Sequence, residues 1–164
     1  MRISLSCLLL AGAIAMVSVP PGRAEDVPYM TLAGELAGAV ESPRVVLEAC
    51  VARKAGRRGD YQAAYEAWRA RHATLLTQVD AQLARADARL RRDNPAAGAS
   101  SVADAMTRIL QRRYESLDAA ALRQLCSRYP EMLRAKDAEM TDAVPRLLQR
   151  VADAERAAAA KQPG

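Results

Sequence analysis

Residues 61–90 read YQAAYEAWRARHATLLTQVDAQLARADARL and contain the only tryptophan and the only histidine of the chain. Apolar and aromatic positions recur here every three or four residues, which is the spacing of one face of an α-helix. These positions are Tyr61, Tyr65, Trp68, His72, Leu75, Val79, Leu83, Ala86 and Leu90. The spacing predicts a single straight helix over residues 60–92, the longest of the fold, with this stripe in the core.

Trp68 and His72 lie on the same predicted stripe, and we interpret both as packing residues. Trp68 is expected to anchor the helix, because burial of a large aromatic side chain is strongly stabilising. His72 is flanked by apolar positions of the stripe. A histidine in such a position is more often a half-buried contact between helices than a ligand or a base.

The rest of the chain also favours helices, separated by a few turn residues. Alanine, leucine, arginine, glutamine and glutamate are good helix formers, and no strand-like alternation lasts more than four residues. Ser42 and Pro43 suit the N-cap and first position of a helix that ends before Gly56. Further helices are expected over residues 102–115, 118–129 and 131–159. The sequence therefore predicts an all-α, single-domain bundle of four to five helices over residues 25–159, followed by a frayed tail at 160–164.

Three of these segments carry more specific expectations. The segment before Ser42 is assigned only a short extra helix, because it contains two glycines. Pro145 is expected to kink the last helix, since proline removes one backbone hydrogen bond and clashes with the preceding turn. The helix at 102–115 is predicted to bury an apolar face formed by Val102, Met106, Ile109, Leu110 and Tyr114.

The first 24 residues have the layout of a secretory signal peptide. Arg2 precedes an apolar run over residues 5–19, and Gly22 and Ala24 supply small residues at −3 and −1 of a cleavage point. The run is shorter than the roughly 20 residues that are needed to span a bilayer. We therefore expect cleavage near Ala24 and a mature protein in the periplasm or outside the cell.

Two cysteines, Cys50 and Cys126, remain after the predicted cleavage. In an oxidising compartment, an even pair is more often a disulfide than a catalytic thiol. Cys50 follows Val46 by one helical turn, and Cys126 follows Leu122 by the same spacing. Both are thus expected to face the core, and we predict one intramolecular disulfide between them.

The residue types argue against most cofactor and catalytic chemistries, and no cofactor or metal is predicted. The sequence has no CxxCH for haem attachment, and the mature chain has too few Cys and His residues for a structural zinc site. A Cys–His nucleophilic pair would need a free thiol near His72. Asp137, Glu139 and Asp142 are expected on solvated, charged faces. A less favoured alternative is a non-covalent haem, held in the bundle by His72 and Met106, Met132 or Met140.

Basic residues cluster where the predicted helices end. The candidate basic contact surface comprises Arg53, Lys54, Arg57, Arg58, Arg91, Arg92, Arg112 and Arg113. Cations near a helix C-terminus interact favourably with the macrodipole by about 0.3–1 kcal/mol, which is a sufficient structural reason for them. The functional alternative is a surface for anionic lipid headgroups, lipopolysaccharide phosphates or an acidic partner.

One short stretch resembles a known motif. Leu76 and Thr77 match the start of the LTxxQ motif of small, all-helical periplasmic chaperones, but Asp80 stands where that motif has glutamine. Two residues in a single copy transfer no function, and the sequence alone assigns the chain to no family.

The sequence favours a non-enzymatic, exported helical protein of binding or accessory type, acting on a protein or envelope component. This expectation rests largely on the elimination of catalytic signatures. The alternative is a basic helical protein associated with the membrane or with lipopolysaccharide through peripheral contact. Nucleic acid is not expected as a partner, because the chain is exported and its net charge is only +3 after the predicted cleavage.

Overall fold

The chain folds into helices that are joined by short turns. The computed structural model describes residues 29–53, 58–93, 95 and 100–160. A π-helical turn, Glu139–Ala143, joins the last two α-helices. The α-helices of these ranges are α1 (Tyr29–Ala52), α2 (Arg58–Arg71), α3 (Ala73–Asp93), α4 (Val102–Glu115), α5 (Ala119–Ser127), α6 (Tyr129–Ala138) and α7 (Val144–Ala160). The described ranges contain no strand, so the prediction of an all-α fold is confirmed.

The helix count is also close to the prediction. One residue interrupts α2–α3 and the π turn interrupts α6–α7. Helical hydrogen bonds continue across His72, whereas the amide of Arg128, between α5 and α6, bonds to the carbonyl of Leu125 three residues earlier. With α2–α3 and α6–α7 each counted as one rod, the described helices form five rods, against the four to five predicted. None of the described helices has both the length and the apolar character that crossing a bilayer would require. The predicted signal peptide, Lys54, Arg57 and positions 161–164 of the predicted tail lie outside the described residues.

α1 is the central helix and the longest one described. The prediction that a helix begins at Ser42 and Pro43 is wrong, since α1 runs without interruption through both residues. α1 contacts every other described α-helix, which explains why it is buried on several faces and not along one stripe. Its buried residues are Tyr29, Leu32, Ala33, Leu36, Ala37, Val40, Pro43, Val45, Val46 and Cys50.

Contacts at Ser42 and Pro43 explain why α1 does not begin there. The Ser42 hydroxyl lies 3.4 Å from the Tyr114 hydroxyl of α4, so it joins two helices and does not cap one. The Tyr129 hydroxyl of α6 donates a buried hydrogen bond of 3.0 Å to the carbonyl of Pro43. Burial raises the pKa of Tyr129 well above its ordinary value, so the hydroxyl keeps the proton that it donates. Proline removes one backbone hydrogen bond, and packing on both sides of it offsets that cost.

A break at His72 separates α2 from α3. The prediction of one straight helix over residues 60–92 is therefore wrong, although the outer ends of α2 and α3 lie close to its bounds. The break is local, because the amide of His72 still donates to the carbonyl of Trp68 at 3.3 Å. The predicted stripe stays on the inner side. It comprises the buried residues Tyr61, Trp68, Val79, Leu83 and Ala86 and the half-buried residues Tyr65, His72, Leu75 and Leu90.

α4 and α5 lie close to their predicted bounds because each begins at a defined N-cap. The Ser101 hydroxyl accepts from the amide of Asp104 at 2.9 Å, and the Asp104 carboxylate accepts from the amide of Ser101. This capping box lowers the pKa of Asp104 below its ordinary value. The Asp118 carboxylate accepts from the amide of Ala121 at 2.7 Å and caps α5 in the same way.

Ile109 departs from the predicted apolar face of α4. It is 50% exposed, whereas the other four residues of that face are buried or half-buried. Gly34 and Gly38 of α1 let α4 approach closely, since a β-carbon at Gly38 would lie 3.4 Å from the Met106 sulfur. This contact fixes the rotation of α4 about its axis and leaves Ile109 on the outer side.

A π turn at Glu139–Ala143 ends just before Pro145, at the position where the sequence predicts a kink of the last helix. Proline lacks the N–H group that the preceding turn would use, and a π turn redistributes the backbone hydrogen bonds there. The Thr141 hydroxyl bonds to the carbonyls of Asp137 and Ala138 at 3.0 and 3.1 Å. A side chain thus satisfies carbonyl groups at this irregular point of the helix.

Trp68→Ala is expected to lower the free energy of unfolding by about 3–5 kcal/mol, because Trp68 is only 1% exposed. The indole N–H has no hydrogen-bond partner among the described residues. Trp68→Phe removes this unsatisfied group and keeps most of the apolar contact, so its cost should be smaller, about 1–2 kcal/mol. Urea unfolding of both variants measures the difference. An alanine variant as stable as the parent would contradict the burial of Trp68.

Candidate functional site

Cys50 and Cys126 lie at disulfide distance where the C-terminal part of α1 meets α5. Their Cα atoms are 5.6 Å apart, within the range that a disulfide requires. Both residues are fully buried. They are separated by 76 positions in the sequence, so the pair connects the central helix to the second half of the chain.

A groove of about 290 Å³ opens beside this pair, between α1, α4 and α5, and we call it the α1–α4–α5 groove. Val45 and Leu122 are buried and form its base. Glu48, Arg53 and Glu115 are exposed and form its rim. The remaining lining residues are Ala49, Ala52, Gln111 and Tyr114.

The parallel packing of α1 and α4 creates this groove. Arg44 of α1 donates to Thr107 of α4 at 2.9 Å, and Arg53 after the end of α1 lines the same groove as Glu115 at the end of α4. The two helices therefore run in the same direction and end together. Sequence reasoning missed the groove because this arrangement depends on contacts between distant residues, which no local pattern encodes.

The rim of the groove offers charges of both signs. Arg44 bonds to Glu41 at 2.7 Å and to Glu48 at 2.5 Å. Burial lowers the pKa of Arg44, but these carboxylates outweigh burial and raise it above its ordinary value. Arg53 and Glu115, in contrast, form no ion pair among the described residues. A partner in the groove would therefore meet one cation and one anion that the fold does not neutralise.

The structure separates the candidate basic residues into groups at opposite ends of α1. The first group is Arg53, Arg112 and Arg113, and the second is Arg91 and Arg92. The end of α3 lies beside the start of α1, since the Arg89 guanidinium is 5.4 Å from the centre of the Tyr29 ring. The 24 residues of α1 span about 36 Å, so the two groups do not share a surface. Arg58 is the first residue of α2, so the C-terminal dipole does not explain its position.

His72 and Asp137 connect the break between α2 and α3 to the end of α6. Nε2 of His72 lies 2.7 Å from one carboxylate oxygen of Asp137, and Arg71 donates to the other oxygen at 2.9 Å. The His72 side chain is 11% exposed, and its ring lies 5.4 Å from that of Trp68. His72 is thus a contact between helices, in agreement with its interpretation from the sequence. The Asp137 side chain remains 32% exposed, as expected for a charged face, but its partners come from another helix, which the sequence did not indicate.

The environment of Asp137 lowers its pKa. Burial raises the pKa of the carboxyl, but hydrogen bonds from His72 and Arg71 outweigh burial and bring it below its ordinary value. The carboxylate is therefore ionised at neutral pH and fixes the orientation of the imidazole. Because the ring also packs against Trp68, we interpret the pair as structural.

Of the four side chains considered for haem binding, three are engaged within the fold and one, Met132, lines a surface groove. Among the described residues, no group of three or more His, Cys, Asp and Glu side chains is arranged to hold a metal ion. Nε2 of His72 faces Asp137, and Met106 packs against the glycines of α1. Met140 is buried in the π turn, and Met132 lines a shallow groove between α5 and α6.

Comparisons with known proteins found no family model, no curated protein and no solved structure that matches the chain. The candidate site is therefore defined by its own geometry. It consists of the α1–α4–α5 groove and the adjacent Cys50–Cys126 pair.

We expect the protein to contain one disulfide, between Cys50 and Cys126. Intact mass should show no alkylation of these thiols before reduction and two added groups after it. Closing a loop of about 77 residues stabilises by roughly 4–5 kcal/mol in the chain-entropy model. The double variant Cys50→Ala/Cys126→Ala should therefore lose up to about that free energy of unfolding. Two alkylatable thiols before reduction would contradict the pairing.

Asp137→Asn and His72→Gln are each expected to lower the free energy of unfolding by about 1 kcal/mol, the net value of a typical hydrogen bond. The pKa of Asp137 is lower in the folded protein than its ordinary value. The ionised carboxylate therefore stabilises the fold fully above the unfolded-state pKa of about 4, and this stabilisation is lost as the pH falls through the folded-state pKa. The stability difference between the parent and Asp137→Asn should therefore shrink as the pH falls below about 4.

Urea unfolding over this pH range measures the difference. Asp142→Asn, which removes an exposed carboxylate of the π turn, is the matched control. A difference for Asp137→Asn that stays constant with pH would contradict the role of its carboxylate. His72→Gln should leave partner binding intact, and a loss of binding at an unchanged melting temperature would instead make His72 part of a binding site.

Proposed function

We propose that the protein is a non-enzymatic, exported helical module that binds a protein partner in the cell envelope through the α1–α4–α5 groove. The observation that carries this proposal is the composition of the groove, which has buried apolar residues at its base and exposed charges of both signs at its rim. Protein interfaces are organised in the same way, with an apolar centre and a polar rim. The groove suits an apolar side chain or a short helical turn that carries its own charges.

Tyr114 supports this proposal because it can serve as an anchor for a partner. It is half-buried and lines the groove, and its hydroxyl lies 3.4 Å from that of Ser42. The ring is therefore held in place before a partner arrives. Tyrosine is among the residues that contribute most to binding at protein interfaces, particularly where they are rigidly held.

The Cys50–Cys126 pair supports both parts of the proposal. Cys126 follows the groove residue Leu122 by one turn, and Cys50 is one residue from Ala49 and two from Ala52. A covalent link at this point would hold two walls of the groove at a fixed separation, so less conformational freedom is lost on binding. A disulfide is also typical of exported proteins, which agrees with the predicted signal peptide.

Site-specific photo-crosslinking in intact cells tests the proposal. A photoreactive amino acid in place of Ala52, an exposed lining residue of the groove, should give a discrete adduct with one envelope protein. The same amino acid in place of Ala84, an exposed residue of α3 outside the groove, is the matched control and should give no such adduct. Mass spectrometry of the adduct identifies the partner.

A pair of arginine variants then measures the contribution of the groove to affinity. Ala52→Arg should weaken binding of the crosslinked partner by about tenfold or more, because it fills the groove without entering the core. Ala84→Arg adds the same charge elsewhere and should have no effect. Adducts from both positions, or equal weakening by both variants, would contradict the groove as the binding site. A lipid adduct in place of a protein adduct would favour the membrane-associated alternative.

A further inference from the structure

The outer face of α4 carries a basic cluster around an exposed isoleucine. Exposed residues recur there at positions i, i+3, i+4, i+7 and i+8 of the helix. These residues, which we call the α4 outer face, are Ala105, Arg108, Ile109, Arg112 and Arg113. Ile109 is 50% exposed, whereas the other large apolar residues of the described chain are buried or half-buried.

The side chains of the α4 outer face are exposed, and the stability they can add is electrostatic: Arg112 and Arg113 lie in the last turn of α4, where the macrodipole favours cations by about 0.3–1 kcal/mol. Its arginines make no ion pair or hydrogen bond at bonding distance among the described residues, and Arg108 has only a longer-range attraction to the Asp104 carboxylate one turn before it. Arg108 and Arg112 are four residues apart on one helix, where like charges repel. The acidic residues of α4 lie at its two ends, with Asp104 in the capping box and Glu115 at the rim of the groove. The macrodipole does not account for Arg108, which lies outside the last turn of α4, or for an isoleucine at the exposed position 109. Local features that lack a structural reason are expected at functional surfaces.

We propose that the α4 outer face binds the surface of an anionic membrane. The arginines would meet the phosphate groups of anionic lipids, and the Ile109 side chain would enter the boundary between headgroups and acyl chains. Amphipathic helices that combine basic residues with exposed apolar side chains bind membrane interfaces in this manner. The long arginine stems can follow the apolar boundary while their guanidinium groups stay among the headgroups.

The dimensions of this face favour a lipid surface over a protein partner. From Ala105 to Arg113 the face is about 12 Å long and one helix wide. A stable protein interface buries about 800 Å² on each partner, which is far more than this face provides. A bilayer needs no complementary shape, so a narrow convex cluster is sufficient. The groove residues Gln111 and Tyr114 lie on the side of α4 that faces α1, so this inference does not depend on the groove.

Co-sedimentation with vesicles of phosphatidylglycerol and phosphatidylethanolamine tests this proposal. The assay uses the exported protein, whose N-terminus is first established by intact mass. The parent should bind these vesicles, should not bind vesicles of phosphatidylcholine alone, and should lose most of its binding at high salt. Arg112→Gln/Arg113→Gln should weaken binding about 25-fold, since each basic residue near an anionic surface contributes about fivefold. Ile109→Ser should weaken vesicle binding but leave the salt dependence of binding nearly unchanged, because Ile109 contributes an apolar contact and no charge.

The matched control is Arg91→Gln/Arg92→Gln, which removes the same charge at the end of α3 and should leave binding nearly unchanged. Hydrogen exchange gives a second measurement, in which vesicles should slow exchange in α4 but not at the end of α3. Equal weakening by both double variants would overturn the proposal, because it would indicate attraction by net charge alone. Failure of the parent to bind anionic vesicles would also overturn it. The remaining candidate partner of the α4 outer face would then be an acidic protein. Neither result would change the crosslinking outcome at the groove.

Discussion

The structure depends on the burial of α1 by every other described helix. The chain has no phenylalanine and one tryptophan, so its core must gain stability from close approach of small and medium side chains. Ala33 and Ala37 are fully buried, and the glycines of α1 admit the Met106 side chain of α4. Dispersion contacts of this kind are individually weak and fall off quickly with distance. The surrounding helices can therefore pack only around a continuous α1, and this requirement explains why the helix passes through Pro43.

The parts of the fold that the sequence predicted correctly are those encoded locally. The bounds of α4 and α5 follow from caps at Ser101 and Asp118, which hydrogen-bond to amides three residues away. The two errors in helix assignment have the opposite origin. Ser42 and Pro43 look like a helix start until Tyr114 and Tyr129 are known to contact them. The smooth stripe of residues 61–90 likewise gives no sign of a break at His72, where the imidazole contacts Asp137 of another helix.

The candidate site was predictable only in part, for the same reason. Cys50 and Cys126 could be paired from their number, the expected compartment and their positions one turn after apolar residues. The groove beside them could not be predicted, since it exists only because α1 and α4 are parallel. The same arrangement divides basic residues that look equivalent in sequence. Arg112 and Arg113 share an end of the bundle with Arg53, while Arg91 and Arg92 lie at the opposite end.

The position of α1 also sets the order in which the newly made chain can complete its fold. Of the described helices, α1 is synthesised first, yet its polar and covalent partners Thr107, Tyr114, Cys126 and Tyr129 follow 63 to 86 residues later. Contacts over such separations form slowly, because long segments of chain must first be brought together. Until then α1 has apolar surface on several sides without cover, which favours aggregation. The nascent protein therefore remains vulnerable until nearly all of its helices have been made, and it stands to gain from any factor that shields its first helix during that interval.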